Sequence, residues 1–303
     1  MILRHRMEAA ALRAGIGLSR LLGPTAASNF GGGLMRLLGP LLGASRTADA
    51  NLRLAMPHLS DNERRIVVRG VWENLGRTAA EMPHIGSLKC CSRGPGWEIA
   101  GGEHLRGVAV RGGPAIFFSA HLANWELIGP AVAACGINLG GFYRAASNPA
   151  ADAIIRDLRR AARVDDVPLF AKGAVGARGA IAHLAAKGSL GMMMDQKMND
   201  GIAVDFFGHR AMTAAALARF ALRFDCAVVP IHVERLGPAR FRLVCEAPLS
   251  WPKGDDRAAD IYTLTRAVNA TMESWIRAAP QSWLWVHRRW PRDGHMATAA
   301  PPA

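Results

Sequence analysis

The 303-residue chain carries 37 Lys and Arg against 24 Asp and Glu, a formal net charge of +13, although half of its residues are hydrophobic. That length suits one large domain, or one domain with a helical appendage, and a basic excess on so apolar a chain calls for an anionic partner: a lipid surface, an acidic carrier or substrate, or nucleic acid. Five cysteines without a C-x-x-C pair speak against a disulfide scaffold or zinc site, and no run of about eighteen uncharged apolar residues is present to make an ordinary spanning helix.

Residues 1–45 are apolar and punctuated by Gly and Arg. Arg6, Arg13 and Arg20 recur every seven residues, so they share one face of a helix expected to end near Gly23-Pro24. Two readings fit a basic stripe on an apolar helix: an anchor lying in a membrane interface, or an amphipathic helix packed on the domain. Glu8 and Arg13 interrupt the apolar stretch that a secretory signal requires. Asp49 to Met56 reads as a helix stopped by Pro57. Ser60-x-x-Glu63 is a capping box and opens a long helix whose buried face comprises Val68, Val71, Trp72, Leu75, Ala79 and Met82. A Gly/Pro/Ser-rich connector with Cys90-Cys91 runs to Gly96. It separates a helical lead-in (46–96) from an α/β body (97–291) and a tail (292–303).

In that body Trp97 to Ala100 predicts a short strand and Glu103 to Gly107 part of a helix. Pro114 to Ser119 is an apolar run too short for a helix, a buried strand. Leu127, Ile128, Ala131, Val132 and Cys135 then follow helical spacing from about Asn124. His121 lies in the turn between them, and Glu126 falls in the first helical turn, within reach of the imidazole. A neutral His can take a proton from a hydroxyl, and a carboxylate can fix its tautomer and stabilise the imidazolium. The same pattern also describes a surface histidine followed by a carboxylate favoured by the helix dipole. No G-x-S-x-G nucleophile motif accompanies it.

Further strands are expected at Asn138–Tyr143, Val167–Phe170, Ser189–Met194, Ala227–Val233 and Arg240–Glu246. Helices are expected at Asn148–Arg163 and Ala174–Lys187, from Thr213 as N-cap to Phe224, and at Asp256–Ala279. The alternation predicts an α/β fold: a mostly parallel central sheet flanked by helices, with a helical, membrane-associating amino-terminal region. His121, Arg144 and Asp195-Gln196 all follow strand ends, and the carboxyl ends of parallel strands share one side of a sheet. Gly173-x-x-Gly176-x-x-Gly179 fits neither a Walker A nor a dinucleotide fingerprint. The basic residues are scattered and carry no nucleic-acid recognition motif, and His121/Glu126 lack further ligands at metal-binding spacing. Trp283 and Trp285 are expected in the core, with Arg288 and Arg289 beside them as candidates for lipid phosphate.

Taken together, the His121-Leu-Ala-Asn-Trp-Glu126 motif, Tyr143-Arg144 with Asn148-Pro149, Asp195-Gln196, Val204-Asp-Phe-Phe-Gly208, Val228-Val229-Pro230 and Trp283-Leu-Trp285-Val-His-Arg-Arg-Trp290-Pro resemble the late acyltransferases of bacterial lipid A biosynthesis, the lauroyl/myristoyl transferases of the glycerophosphate-type acyltransferase superfamily. The resemblance runs from about residue 46 to 291. One departure is local: Arg144-Ala-Ala-Ser stands where that family usually has Arg-Pro-Leu. The resemblance implies transfer of an acyl chain from acyl carrier protein to a hydroxyl of a lipid A precursor, a phosphorylated glycolipid, at the cytoplasmic face of the inner membrane, without metal or organic cofactor. His121 is then the general base and Glu126 its orienting partner. Arg144 binds an acceptor phosphate or the tetrahedral oxyanion, while Asn124, Asp195 and Gln196 line the substrate pocket, the last two shaping it rather than reacting. Alternatives are a transferase of that superfamily acting on a phosphatidylinositol mannoside or an aminolipid, and a non-catalytic membrane-surface binding protein.

Overall fold

The computed structural model describes residues 2–143, 147–162 and 168–291. It opens with α1 (Ile2–Leu38), kinked where Gly23 adopts φ 75° and ψ 167°. The expected helix end is therefore a bend: Pro24 starts a second limb immediately, because a first-turn residue has no intrahelical use for its N–H. After α2 (Ala44–Ala55), the Ser60 side chain accepts from the Glu63 N–H and the Glu63 carboxylate accepts from the Ser60 N–H. This capping box opens α3 (Asp61–Glu81). The long face of α3 packs along both limbs of α1. At the bend's far side Gly31 and Gly76 bring the two backbones so close that a Cβ on either would collide with the other's carbonyl.

The body follows in order: β1 (Gly96–Ala100), α4 (Gly102–Arg111), β2 (Ala115–Ser119), α5 (Ile128–Ala133), β3 (Leu139–Tyr143), α6 (Pro149–Ala161), β4 (Leu169–Ala171), α7 (Ala174–Ala185), β5 (Ser189–Met193), β6 (Ile202–Phe206), β7 (His209–Thr213), α8 (Ala216–Phe224), β8 (Ala227–Gly237), β9 (Arg240–Cys245) and α9 (Arg257–Ala278). Seven strands form one sheet in the order β1-β9-β8-β2-β5-β3-β4. The pairings β8–β2, β2–β5, β5–β3 and β3–β4 are parallel, and β8–β9 is antiparallel. β2 lies at the centre and is buried throughout. Its alternating side chains fill two cores: Ile116 and Phe118 face a layer with α2, α3, α8 and α9, and Ala115 and Phe117 face α4 and α5.

Two stretches differ from expectation. β6 and β7 form a separate antiparallel hairpin, joined by Phe207 (φ 54°) and Gly208 (φ 73°), the paired positive φ of a tight hairpin turn. Thr213 thus ends a strand and is no N-cap; Ala215 precedes α8. The Thr213 hydroxyl accepts from Arg289 and Asn269 and donates to the Ala211 carbonyl. Trp283 and Trp285 are buried as expected, and Trp290 is buried with them; all three follow α9 outside regular helix or strand. Trp283 and Trp285 meet edge to face with centroids 4.6 Å apart.

Candidate active site

The site begins where β2 ends. β2 and β5 pair in parallel with Ser119 level with Met193, and the Met194 N–H continues that ladder to the Ser119 carbonyl. Two residues beyond each strand, His121 and Asp195 therefore stand side by side. His121 Nδ1 lies 2.7 Å from Asp195 Oδ1, and the His121 backbone N–H donates to Asp195 Oδ2 at 2.8 Å. The Trp283 indole N–H donates to the same Oδ2 at 2.7 Å. An ionised carboxylate only accepts, so in the neutral imidazole Nδ1 carries the ring proton and Nε2 keeps its lone pair. The Gln196 amide nitrogen stands 3.5 Å from Nε2, and Trp125 meets the ring edgewise at 5.0 Å between centroids.

Electrostatics reinforce the pairing. Burial alone works to raise the Asp195 pKa, but the His121 charge and hydrogen bonds from His121 and Trp283 outweigh it and hold the carboxyl down to about 2. For His121 burial works to lower the pKa; the Asp195 charge and hydrogen bond, with a smaller contribution from Glu126, reverse this and raise it above 6.5 against an opposing effect of Arg159. A base with its Nε2 free and its conjugate acid stabilised is what proton abstraction from a hydroxyl needs.

Of the residues expected in the site, His121, Asp195 and Gln196 come together. Glu126 does not reach the imidazole as a partner. Its two oxygens are taken by Arg159 of α6, at 2.8 Å from Nε and 2.6 Å from Nη2, because the helix after the turn starts as a short 3₁₀ segment at Trp125–Leu127 that directs Glu126 toward α6. The carboxylate paired with the His121 imidazole is thus Asp195 and not Glu126. Asn124 is fully buried and donates to Glu81 at 2.9 Å, so it faces the protein and not a substrate. Arg144 lies outside the described residues. Arg288 is exposed.

Arg289 also departs from expectation: it is fully buried, donates to the Met212 carbonyl and the Thr213 hydroxyl at 2.7 Å each, and sits 4.9 Å over the Phe206 ring. Burial pulls its pKa down to about 10, with the Asp195 charge opposing. It ties the carboxyl-terminal turn to β7 and has no surface to offer a phosphate. Arg289→Ala should lower stability by about 2–4 kcal/mol, from two lost charge-assisted bonds, with little change in acceptor KM for whatever protein remains folded; denaturant unfolding and kinetics read the two apart.

Sequence reasoning also missed Trp283 as a donor to Asp195, since a core tryptophan gives no sign of where its N–H is spent. Among the described residues no group of three or more His, Cys, Asp or Glu side chains is placed to hold a metal. A model of the family described as bacterial lipid A biosynthesis acyltransferase matches residues 4–292. No curated protein matches the chain.

Proposed function

The chain belongs to the bacterial lipid A biosynthesis acyltransferase family, and from that premise we propose that it moves a fatty acyl chain from acyl carrier protein to a hydroxyl of a lipid A precursor, with His121 as general base and Asp195 as its partner. The observation that carries this reading is the His121–Asp195 pair at the carboxyl end of the central strands, which leaves Nε2 of the neutral imidazole as the proton acceptor. Nε2 takes the proton of the acceptor hydroxyl as its oxygen attacks the thioester carbonyl. Asp195 stabilises the imidazolium so formed without taking its proton. Collapse of the tetrahedral intermediate expels the carrier thiolate, and the imidazolium returns the proton to it. No enzyme nucleophile enters; the acceptor oxygen bonds directly to the acyl carbon.

The net charge of +13 supports two anionic partners, an acidic carrier and a phosphorylated glycolipid. Purified protein assayed with acyl carrier protein and coenzyme A thioesters against a panel of lipid acceptors tests the reading. Transfer from the carrier thioester to a lipid A precursor is the expected outcome; transfer to other acceptors alone would reject it.

We place the protein on the cytoplasmic face of the inner membrane, lying on the surface through α1. No helix among the described residues is long and apolar enough to cross a membrane. Leu21, Leu37 and Leu41 are nevertheless 87%, 75% and 82% exposed, and Arg6, Arg13 and Arg20 are exposed on the first limb of α1, a composition suited to an anionic interface. α1 also reaches the active-site side of the sheet, where Asn148, the N-cap of α6, donates to the His5 carbonyl and the Glu8 carboxylate. Replacing Leu21, Leu37 and Leu41 with Asp should move the folded protein from the membrane fraction to the soluble fraction. Unchanged partitioning in a flotation assay would leave α1 as a packing element only.

A further inference from the structure

The turn that carries His121 contains a residue in an unfavourable conformation: Ala123 has φ +47°, the left-handed region that side chains other than glycine seldom adopt. Its backbone is gripped on both sides. The Ala123 N–H donates to the Ser282 carbonyl at 3.0 Å, and its carbonyl accepts from the Asn74 amide at 3.2 Å and the Thr78 hydroxyl at 2.9 Å.

Asn74 and Thr78 occupy one face of α3, and Glu81 follows on the same face. Arg235 of β8 binds all three: Nε to Asn74 Oδ1 at 3.1 Å, Nη2 to Thr78 Oγ1 at 3.3 Å, and both Nη atoms to the Glu81 carboxylate. Glu81 is 0% exposed and accepts further bonds from Asn124 (2.9 Å), Ser28 of α1 (2.6 Å) and the Ala239 N–H (3.1 Å). A carboxylate removed from water is tolerated only with such a full set of donors. Here the donors come from the catalytic turn, from α1 and from the β8–β9 hairpin. An apolar core would hold these elements together equally well, but it could not fix a particular carbonyl direction at Ala123.

We propose that Asn74, Thr78, Glu81 and Arg235 form a positioning clamp that sets the His121 ring against Asp195 by holding the left-handed turn at Ala123. The proposal rests on His121 being the base, and it concerns residues that touch no substrate. Loss of the Thr78 hydroxyl releases one grip on the Ala123 carbonyl. The turn then relaxes toward an ordinary φ, and the imidazole, two residues earlier, leaves its productive orientation.

The test uses the full chain with Thr78→Val, which keeps the side-chain shape, and Glu81→Gln as a second variant. Thr78→Val should lower kcat by about ten- to a hundred-fold, the scale of a small misplacement of a catalytic group, with KM held within about two-fold. In the substrate-free protein the His121 Nδ1 proton resonance should broaden or move. Adding Ala123→Gly to Thr78→Val should restore most of the lost kcat, since glycine takes the left-handed conformation without being held in it; a general loss of packing would not be repaired that way. Wild-type kcat and an unchanged Nδ1 resonance in folded Thr78→Val would overturn the clamp, as would a loss of kcat that Ala123→Gly leaves in place. If Glu81→Gln fails to fold, Thr78→Val still decides. A His121→Ala control separates the two ideas: full activity there removes the base assignment, and the Nδ1 resonance alone then decides whether the clamp orients the ring.

Discussion

His121→Ala should reduce acyl transfer by about 10²–10⁴-fold, the usual contribution of a positioned general base, which corresponds to about 3–5 kcal/mol of barrier. The loss should appear in kcat and kcat/KM alike, because the imidazole acts on the proton in flight and contributes little to holding the acceptor. The fold should survive. His121 is partly accessible beyond the carboxyl end of β2, and its removal leaves the Asp195 carboxylate with donors from the Trp283 indole and the backbone N–H of residue 121. Single-turnover transfer from an acyl carrier thioester by the folded variant is the measurement. Wild-type turnover would assign the proton abstraction to another group.

The general architecture was legible because period and punctuation carry it. The continuous apolar run of Ala115–Ser119, the Ser60/Glu63 box and the Pro57 stop each follow from local chemistry, and each recurs in the structure. The identity of the histidine's partner was not. A carboxylate five residues away on a presumed helix looks close, but reach depends on the first turn, and a 3₁₀ start sends Glu126 to Arg159. Asp195 is close because β5 lies beside β2 in the sheet while β3, next in the chain, lies beyond it. That strand order is a property of long-range packing that no window of sequence records. A weaker signal was present on α3, where Asn74, Thr78 and Glu81 interrupt an otherwise apolar face; buried polar residues at helical spacing ask where their hydrogen bonds go. The β7 strand escaped notice because its turn is Phe207-Gly208, not one of the Asn-Gly or Asp-Gly pairs that normally announce a two-residue hairpin.

Asp195→Asn should be nearly as damaging as loss of the histidine, on the order of 10³–10⁴-fold in kcat, the scale found when the carboxylate behind a catalytic imidazole is neutralised. Two effects combine. An amide can present its nitrogen to Nδ1, which moves the ring proton to Nε2 and blocks the base; and the imidazolium loses its countercharge. By contrast Glu126→Gln should cost less, because Glu126 acts on His121 only through a longer-range charge and its Arg159 pairing. The pH dependence gives a sharper separation. In the wild type the Asp195 charge and hydrogen bond overcome burial and raise the His121 pKa, so the acid limb of kcat/KM should lie above pH 6.5. In Asp195→Asn the burial that disfavours imidazolium is no longer overcome, and the residual activity should persist to lower pH, its limb falling below that of the wild type. Stability follows the same pair. The raised His121 pKa stabilises the fold fully below 6.5 and ceases to as pH rises through the folded-state value, while the depressed Asp195 pKa stabilises it above 3.8 and ceases to as pH falls toward about 2. The stability difference between wild type and Asp195→Asn should therefore be greatest between pH 3.8 and 6.5. A difference in denaturation midpoint that is flat across that window and beyond it, with an acid limb unmoved by the substitution, would mean that Asp195 is not the group that holds His121 ready.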